Sequence, residues 1–318
     1  MNLVLKKFLQ MILVIILVTF LAALLLKRLP GDPCIANLGG AADPAKLAEC
    51  QDRVGVHDNV FVFYGKWVNN VFHGDFGTLV GNDQPVTTAL SQKWLVTVSI
   101  IVYSIIFSVI VSVPIAVFAA YKANGRFDRT VSTASYGLLA IPNFVMAVLL
   151  WYVFSINLTH WLPATEFVSF STDPVEHFKH MILPVLTLAA GQIPVYVRLL
   201  RTDMTATLSE DYITMAKSKG ISDRRILWRH ALRPSSFTLV TILGVNIGGL
   251  VGGALIVEQF FHLNGIGSFI IGSVFSRDYA VVMTLTALVA VVVVFVNFMV
   301  DLLYIALDPR IRRQRALV

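Results

Sequence analysis

Six apolar stretches, each long enough to cross a lipid bilayer as a helix, argue against a water-soluble fold for this 318-residue chain. A spanning helix needs about 20 mostly apolar residues. The stretches run near residues 8–26, 94–120, 134–156, 181–200, 237–257 and 279–305. The fourth is the weakest by composition, because Gln192, Pro184 and Pro194 interrupt it. Irregular helices are tolerated where neighbouring protein satisfies the freed backbone groups, so this span belongs inside a bundle. Composition agrees with a bilayer protein: 56% of residues are hydrophobic and 14% are charged, against about 25% charged in soluble domains. The expected fold class is all-α integral membrane with six transmembrane helices.

Lys and Arg set the orientation. With the N-terminus inside, the cytoplasmic segments hold Lys6, Lys7, Lys122, Arg126, Arg129, Arg198, Arg201, Lys217, Lys219, Arg224, Arg225, Arg229, Arg233, Arg310, Arg312, Arg313 and Arg315, which is 17 of the 25 basic residues. The positive-inside rule therefore places both termini in the cytoplasm. Lys27 and Arg28, at the outer end of the first span, run against it locally. The net charge of +6 follows from this loop bias and needs no nucleic-acid partner. The apolar run at 8–26 is longer than a signal-peptide core and no A-x-A site follows it, so it reads as an uncleaved span.

The external segment 29–93 carries the two cysteines, Cys34 and Cys50, which are either a disulfide or a pair of free thiols. Within it, Val60–Phe72 holds Phe61, Phe63, Tyr64, Trp67 and Phe72, and reads as a helix lying on the membrane face or packed against the bundle. In the fifth span, Gly244, Gly248, Gly249, Gly252 and Gly253 form overlapping G-x-x-x-G spacings. These serve either tight packing within one subunit or a subunit interface or hinge. Asn143, Gln192, Tyr196 and Asn246 are polar groups at membrane depth, read first as interhelical hydrogen-bonders and second as substrate contacts. His177 and His180 lack the glutamate of an H-E-x-x-H motif and read as interfacial packing.

The cytoplasmic loop 203–236 carries the mechanism. Ser209 or a neighbour can cap a short helix with Glu210 and Asp211 at its start and Lys217 and Lys219 at its end, an order that suits the helix dipole. Gly220 allows a left-handed turn. Ser222 and Asp223 then start a second helix bearing Arg224, Arg225, Arg229 and Arg233 toward Pro234. On residues alone this is a compact knob or a basic loop touching anionic lipid.

The run D-Y-I-T-M-A-K-S-K-G-I-S-D-R-R-I-L-W-R-H-A-L-R-P, residues 211–234, resembles the loop signature of ABC importer permeases, in particular the dipeptide/oligopeptide/nickel branch. Against the general pattern E-A-A-x-x-x-G, Gly220 matches the glycine and Ala216 the last alanine, while Thr214 and Met215 depart from it. Supporting segments are L-P-G-D-P (29–33), G-D-F-G (74–77), H-M-I-L-P-V-L-T (180–187), G-I-G (265–267), R-D-Y (277–279), D-L-L-Y (301–304) and L-D-P-R (307–310). The resemblance implies a type I ABC importer permease fold in a bacterial cytoplasmic membrane. It further implies a coupling helix near residues 210–219 seated in a groove of an ATPase subunit. Glu210, Asp211, Tyr212, Thr214, Ala216, Lys217, Gly220, Arg224 and Arg225 are the candidate coupling residues.

The chain has no phosphate-binding loop, since its one Gly-Lys pair, Gly65-Lys66, precedes Trp67. It is therefore expected not to be an enzyme and to hold no cofactor, with ATP and Mg bound by partners. The resemblance implies those partners: a second homologous permease, two ATP-binding subunits or domains, and an extracytoplasmic substrate-binding protein. Peptides are the expected cargo, with glutathione or nickel as alternatives in the same branch. An ion-coupled secondary transporter is the other class, disfavoured because the span interiors are nearly bare of ionisable residues. The organisation expected is a first span (1–28), an external segment (29–93) and a core permease domain (94–318) with the other five spans.

Overall fold

The computed structural model of the chain describes residues 3–39, 43–157, 162–163 and 165–307, with side chains between residues 5 and 300 of these. In chain order the helices are α1 (Leu3–Arg28), α2 (Pro33–Leu38), α3 (Pro44–Val54), α4 (Val60–Phe72), α5 (Val86–Ser91), α6 (Trp94–Tyr121) and α7 (Arg126–Ala140). They continue as α8 (Asn143–Trp151), α9 (Pro174–Leu208), α10 (Asp211–Ser218), α11 (Asp223–Arg225), α12 (Leu232–Phe260), α13 (Ile266–Phe275) and α14 (Tyr279–Leu307). Six-residue π-helical turns follow α8, at Tyr152–Asn157, and join α11 to α12, at Ile226–Ala231. No strand occurs among the described residues. Expectations concerning His160, Arg310, Arg312, Arg313, Arg315 and the segment 308–310 lie outside the described residues.

Five helices, α1, α6, α9, α12 and α14, are each long and apolar enough to cross a membrane, and α7 with α8 makes a sixth when the bent pair counts as one span. That pair corrects the expectation of a straight helix over residues 134–156. The chain bends by 100° between α7 and α8. The cause is local: a residue before proline is pushed out of the helical region, and proline itself donates no hydrogen bond. Ile141 accordingly adopts φ −90°, ψ 116°, and Pro142 leads into α8. The fourth span is one continuous 35-residue helix, longer than the sequence pattern shows. Half of its most apolar window is buried, against 17–39% in the other four long helices, so it does lie inside a bundle.

Three helices start on an Asp-Pro pair. The carboxylates of Asp32, Asp43 and Asp173 accept hydrogen bonds from first-turn amides, and the proline that follows needs no donor there.

The chain divides into two units. The first comprises the chain up to Thr97 together with that from Asn264 onward. In it α1 and α13 pack on α14, and α4 packs on α1. Ala23, Leu26, Phe63, Tyr279, Val282 and Met283 form its apolar centre. Cys34 and Cys50 are joined as a disulfide, buried beside Val80. Three of the short sequence motifs converge here. The Arg277 guanidinium lies 2.5 Å from where a Cβ on Gly31 would stand, and Gly31 has φ +103°, a backbone conformation that strains any other residue. Asp278 accepts from the Val80 amide at 2.9 Å, and the Phe76 carbonyl accepts from Thr284 at 2.9 Å. Lys27 is also accounted for: its ammonium donates to the carbonyls of Gly55 (2.8 Å) and Val56 (2.6 Å), just beyond the end of α3.

The second unit spans Val98–Leu263 and is organised around α9, against which α7, α8 and α12 pack. Gly253 of α12 packs closely against the Leu188 and Asn143 side chains, whereas Gly249 and Gly252 open outward. The glycines thus serve packing within the chain on one side and leave a bare face on the other. Asp128 of α7 receives two hydrogen bonds from Arg201 of α9, at 2.9 and 2.6 Å, and one from the Asn124 amide at 2.8 Å.

Candidate coupling site

The loop between α9 and α12 folds as a knob whose parts are fixed by local rules. Ser209 does not cap α10. Its hydroxyl donates back to the Ala206 carbonyl at 2.7 Å and closes α9, while Glu210 takes the N-cap backbone conformation without a side-chain bond. α10 ends in a Schellman turn: Gly220 N–H donates to Lys217 O at 2.9 Å and Ile221 N–H to Ala216 O at 3.2 Å. Gly220 has φ +73° and supplies the left-handed residue this turn requires. Ile221 then folds back onto Ile213, Ala216 and Ile226, with Leu208 completing the cluster. The turn and the apolar seat are two readouts of one geometry.

The second helix of the knob is not a separate short one, as the sequence pattern implies. α11, the π-helical turn and α12 run on as a single apolar-terminated rod from Asp223 to Phe260. Pro234 has no N–H for the His230 carbonyl. The Tyr212 hydroxyl reaches that same carbonyl at 3.4 Å, tying α10 to the root of α12. Thr207 and Ser235 hydroxyls meet at 2.9 Å, joining α9 to α12. Tyr121, at the end of α6, donates to Asp223 at 2.9 Å. Hydrogen bonds thus join the knob to α6 and to the root of α12, and α9 to α12.

Of the nine sequence-derived coupling residues, Glu210, Asp211, Tyr212, Thr214, Lys217, Gly220, Arg224 and Arg225 are exposed. Ala216 is 8% exposed and sits in the apolar seat, so its place is under the knob rather than on its outer face. Two residues outside that set stand out. Met215 is 57% exposed, and lies three residues after Tyr212, on the same side of α10. Trp228 is 41% exposed and lines a shallow basic depression with Ser222, Arg224, Arg225 and Arg229. Their exposure becomes visible only once the opposite face is seen to be seated, which the sequence does not show.

Of the polar groups at membrane depth, Gln192 and Asn246 take the interhelical role, while the buried Tyr196 hydroxyl has no hydrogen-bond partner among the described residues. Asn246 of α12 donates to Gln192 of α9 at 3.0 Å, and the Asn143 carboxamide lies between Gly191 and Gly253. Tyr196 is wholly buried, one turn from Gln192. His177 packs in a box of Tyr103, Phe167, Phe170 and Phe178. Its Nδ1 faces the Val168 carbonyl at 2.7 Å, which can only accept, so Nδ1 holds the proton and Nε2 accepts from the Tyr103 hydroxyl at 3.1 Å.

Residues 112–313 match the family described as the binding-protein-dependent transport system inner membrane component, and residues 1–101 match its N-terminal region. This chain belongs to that family. As a binding-protein-dependent permease component it is a multi-pass protein of the bacterial cytoplasmic membrane, serving transport that relies on a separate binding protein. It is 34% identical over 309 residues to a probable peptide ABC transporter permease protein of Sinorhizobium fredii, covering 97% of this chain and 98% of that one. It is 32% identical over 311 residues to the oligopeptide transport system permease protein AppB of Bacillus subtilis (97% and 98%). A glutathione transport system permease protein, GsiC of Salmonella paratyphi A, is 33% identical over 311 residues (98% and 99%).

Proposed function

We propose that this chain is one of two homologous permease subunits of an ATP-driven importer of di- and oligopeptides, with both termini in the cytoplasm. The single observation that carries the reading is the knob. α10 is seated by an apolar underside, bonded to the root of α12, and bare on a face bearing Tyr212, Met215 and flanking charges. A surface of that build suits a groove on another subunit. In this reading residues 1–28 are the first span, 29–93 the external segment, and 94–318 the core permease domain. The coupling residues are Glu210, Asp211, Tyr212, Thr214, Ala216, Lys217, Gly220, Arg224 and Arg225, with Met215 and Trp228 added. Ala216 and Gly220 act by shaping the knob.

ATP and Mg are held by the two partner ATPase subunits. Their closure draws the knobs together, and α6, α9 and α12 move with them to open the path toward the binding protein. Nucleotide can drive this only because the ATPases engage the two conformations with different free energies. The peptide cargo is carried over from the peptide and oligopeptide permeases to which the chain is similar. Glutathione, itself a small peptide, is the second reading, favoured by the glutathione permease relative.

The test is uptake in a strain lacking this gene with partner genes intact, offering labelled di-, tri- and pentapeptides, glutathione and nickel ion. Loss of peptide uptake that wild type restores and Met215→Asp does not is the expected result. Lost nickel uptake with peptide uptake unchanged would move the cargo to the metal branch. Full restoration by Met215→Asp would remove the coupling assignment.

A further inference from the structure

α13 is only ten residues long, yet it holds Gly272 in its second half. Glycine inside a helix is destabilising relative to alanine, and its physical use is to let another backbone or a ligand come close. Nothing in this chain does so, since a Cβ on Gly272 would meet no atom within 4 Å. The same is true of Gly81, in the turn closed by the Thr78–Pro85 pair. Neither glycine has a positive φ, so the backbone does not require one at either place. Both line one cup of about 440 Å³.

The floor of this cup is polar. Ser273 is 5% exposed and lines it, and the Ser273 hydroxyl has no hydrogen-bond partner among the described residues. A hydroxyl so deeply set and unpartnered in the chain is placed to bond what enters. Beside it, Asp278 accepts from the amides of Val80 at 2.9 Å and Val281 at 3.2 Å, which fixes the floor. The walls are braced too. Lys93 donates to Asn264 and stands 5.0 Å over the Phe269 ring, and Asn37 donates to the Ser276 carbonyl at 2.8 Å. Asn82 and Asn264 are exposed at the rim. Carboxamides and hydroxyls donate and accept, as peptide groups do. Bare glycines beside such groups suit a main chain.

Lys93 immediately precedes α6 and Asp278 immediately precedes α14, so the cup lies where these spans begin. In the topology proposed above that end is external, out of reach of an ATPase, and a lining of amides and hydroxyls offers lipid chains nothing. Transport in this family relies on a separate binding protein, so cargo arrives at that face already held by protein. Phe275, three residues after Gly272 and so on the same side of α13, is 82% exposed, and bare aromatics anchor protein interfaces. We infer that the cup receives the tip of a surface loop of the binding protein. The loop's main chain lies against Gly81 and Gly272, and its peptide groups bond Ser273, Asn82 and Asn264. This rests on the proposed topology, not on the cargo or on α10.

The experiment measures the affinity of the purified binding protein for the assembled importer in lipid nanodiscs. Gly272→Trp and Gly81→Trp fill the cup and should each weaken binding about tenfold or more. Ser273→Ala removes one hydrogen bond and should weaken it about fivefold. Gly65→Trp, at a glycine of α4 that is equally open but outside the cup, should bind as wild type does. ATP hydrolysis without binding protein should be the same in all four variants, which shows that they assemble. A benzophenone side chain at position 82 should cross-link to the binding protein. Wild-type affinity in both tryptophan variants would overturn the inference. So would a cross-link to labelled cargo peptide or to the second permease in place of the binding protein. Impermeant labelling of Asn82→Cys tests the topology by itself, so an inverted chain and an unused cup give different results. Should Gly272→Trp fail to assemble, Gly81→Trp, in a turn, carries the test.

Discussion

Several single residues have roles whose strength can be read from their surroundings. At Gly220 a Cβ would meet no atom within 4 Å, so the restraint is the backbone at φ +73° and not space. Gly220→Ala should then cost the turn about 1 kcal/mol, with Gly220→Asn costing less because asparagine tolerates the left-handed region. Hydrogen exchange across residues 210–221 would report the loosened turn. Arg201 and Asp128 are a different case, with side chains 27% and 5% exposed. Arg201→Met should destabilise by about 2 kcal/mol, below the figure for fully buried pairs because the arginine is partly solvated, and Arg201→Met with Asp128→Asn should recover most of it. Thermal unfolding in detergent would measure both. Asp278 responds to pH. Burial raises its pKa above the usual carboxylate value of 3.8, against the pull of the backbone amides of Val80, Val281 and Ala280. The folded form thus holds its proton more tightly than the unfolded form, and stability falls as pH rises from 3.8 through the raised folded value. Above that value the penalty stays constant. Asp278→Asn should flatten this slope in thermal melts taken from pH 4 to 7, whatever it does to the absolute melting point.

At the scale of elements, α10 separates packing from docking. Ala216→Asp would press a charge among Ile213, Ile221 and Ile226 and should unseat the helix, at about 3 kcal/mol or more if the charge stays unpaired. Met215→Asp, one residue away on the bare face, should leave the helix seated and weaken the hold on the ATPase. Hydrogen exchange should distinguish them, protecting α10 in Met215→Asp and not in Ala216→Asp, while both lose uptake and co-purifying ATPase. The same helix shows what the sequence could reveal. Its ends, its glycine turn and its acid-to-base order were legible because they are local, as were the apolar spans, whose length alone is decisive. The bend at Ile141–Pro142 was not, because apolar composition continues across it and says nothing of direction. α13 escaped notice because ten apolar residues are too few to register as a span. The burial of Ala216 and the exposure of Met215 depend on Ile226, ten residues further on, and no pattern within α10 reveals that partner. Lys27 looked like a topological conflict for the same reason, since the carbonyls it serves lie 28 and 29 residues away.

Taken as a whole, the molecule offers two independent arguments for one orientation. The first is statistical: 17 of the 25 basic residues fall in segments that share one side, the side of the knob. The second is chemical: a disulfide joins Cys34 to Cys50 in the segment after α1, and such bonds persist in oxidising compartments. With the α7–α8 pair counted as one span, three crossings separate that segment from the knob along the chain: α6, α7–α8 and α9. On that count, a chain with both termini in the cytoplasm is expected to carry the disulfide and the knob on opposite sides of the membrane. The bond closes a loop with a sequence separation of 16, for which chain entropy gives about 3 kcal/mol of stabilisation. Cys34→Ser with Cys50→Ser should accordingly loosen the external segment while leaving α10 seated. Topology itself can be read directly by adding one cysteine at a time and treating intact cells with a membrane-impermeant maleimide. Asn82→Cys, in the external segment, should react in intact cells. Ser222→Cys, in the knob, should react only after the membrane is opened. The reverse pattern would invert the protein, put the disulfide in the reducing compartment and leave the knob where no ATPase could reach it, so this one labelling result decides whether coupling through α10 is physically available.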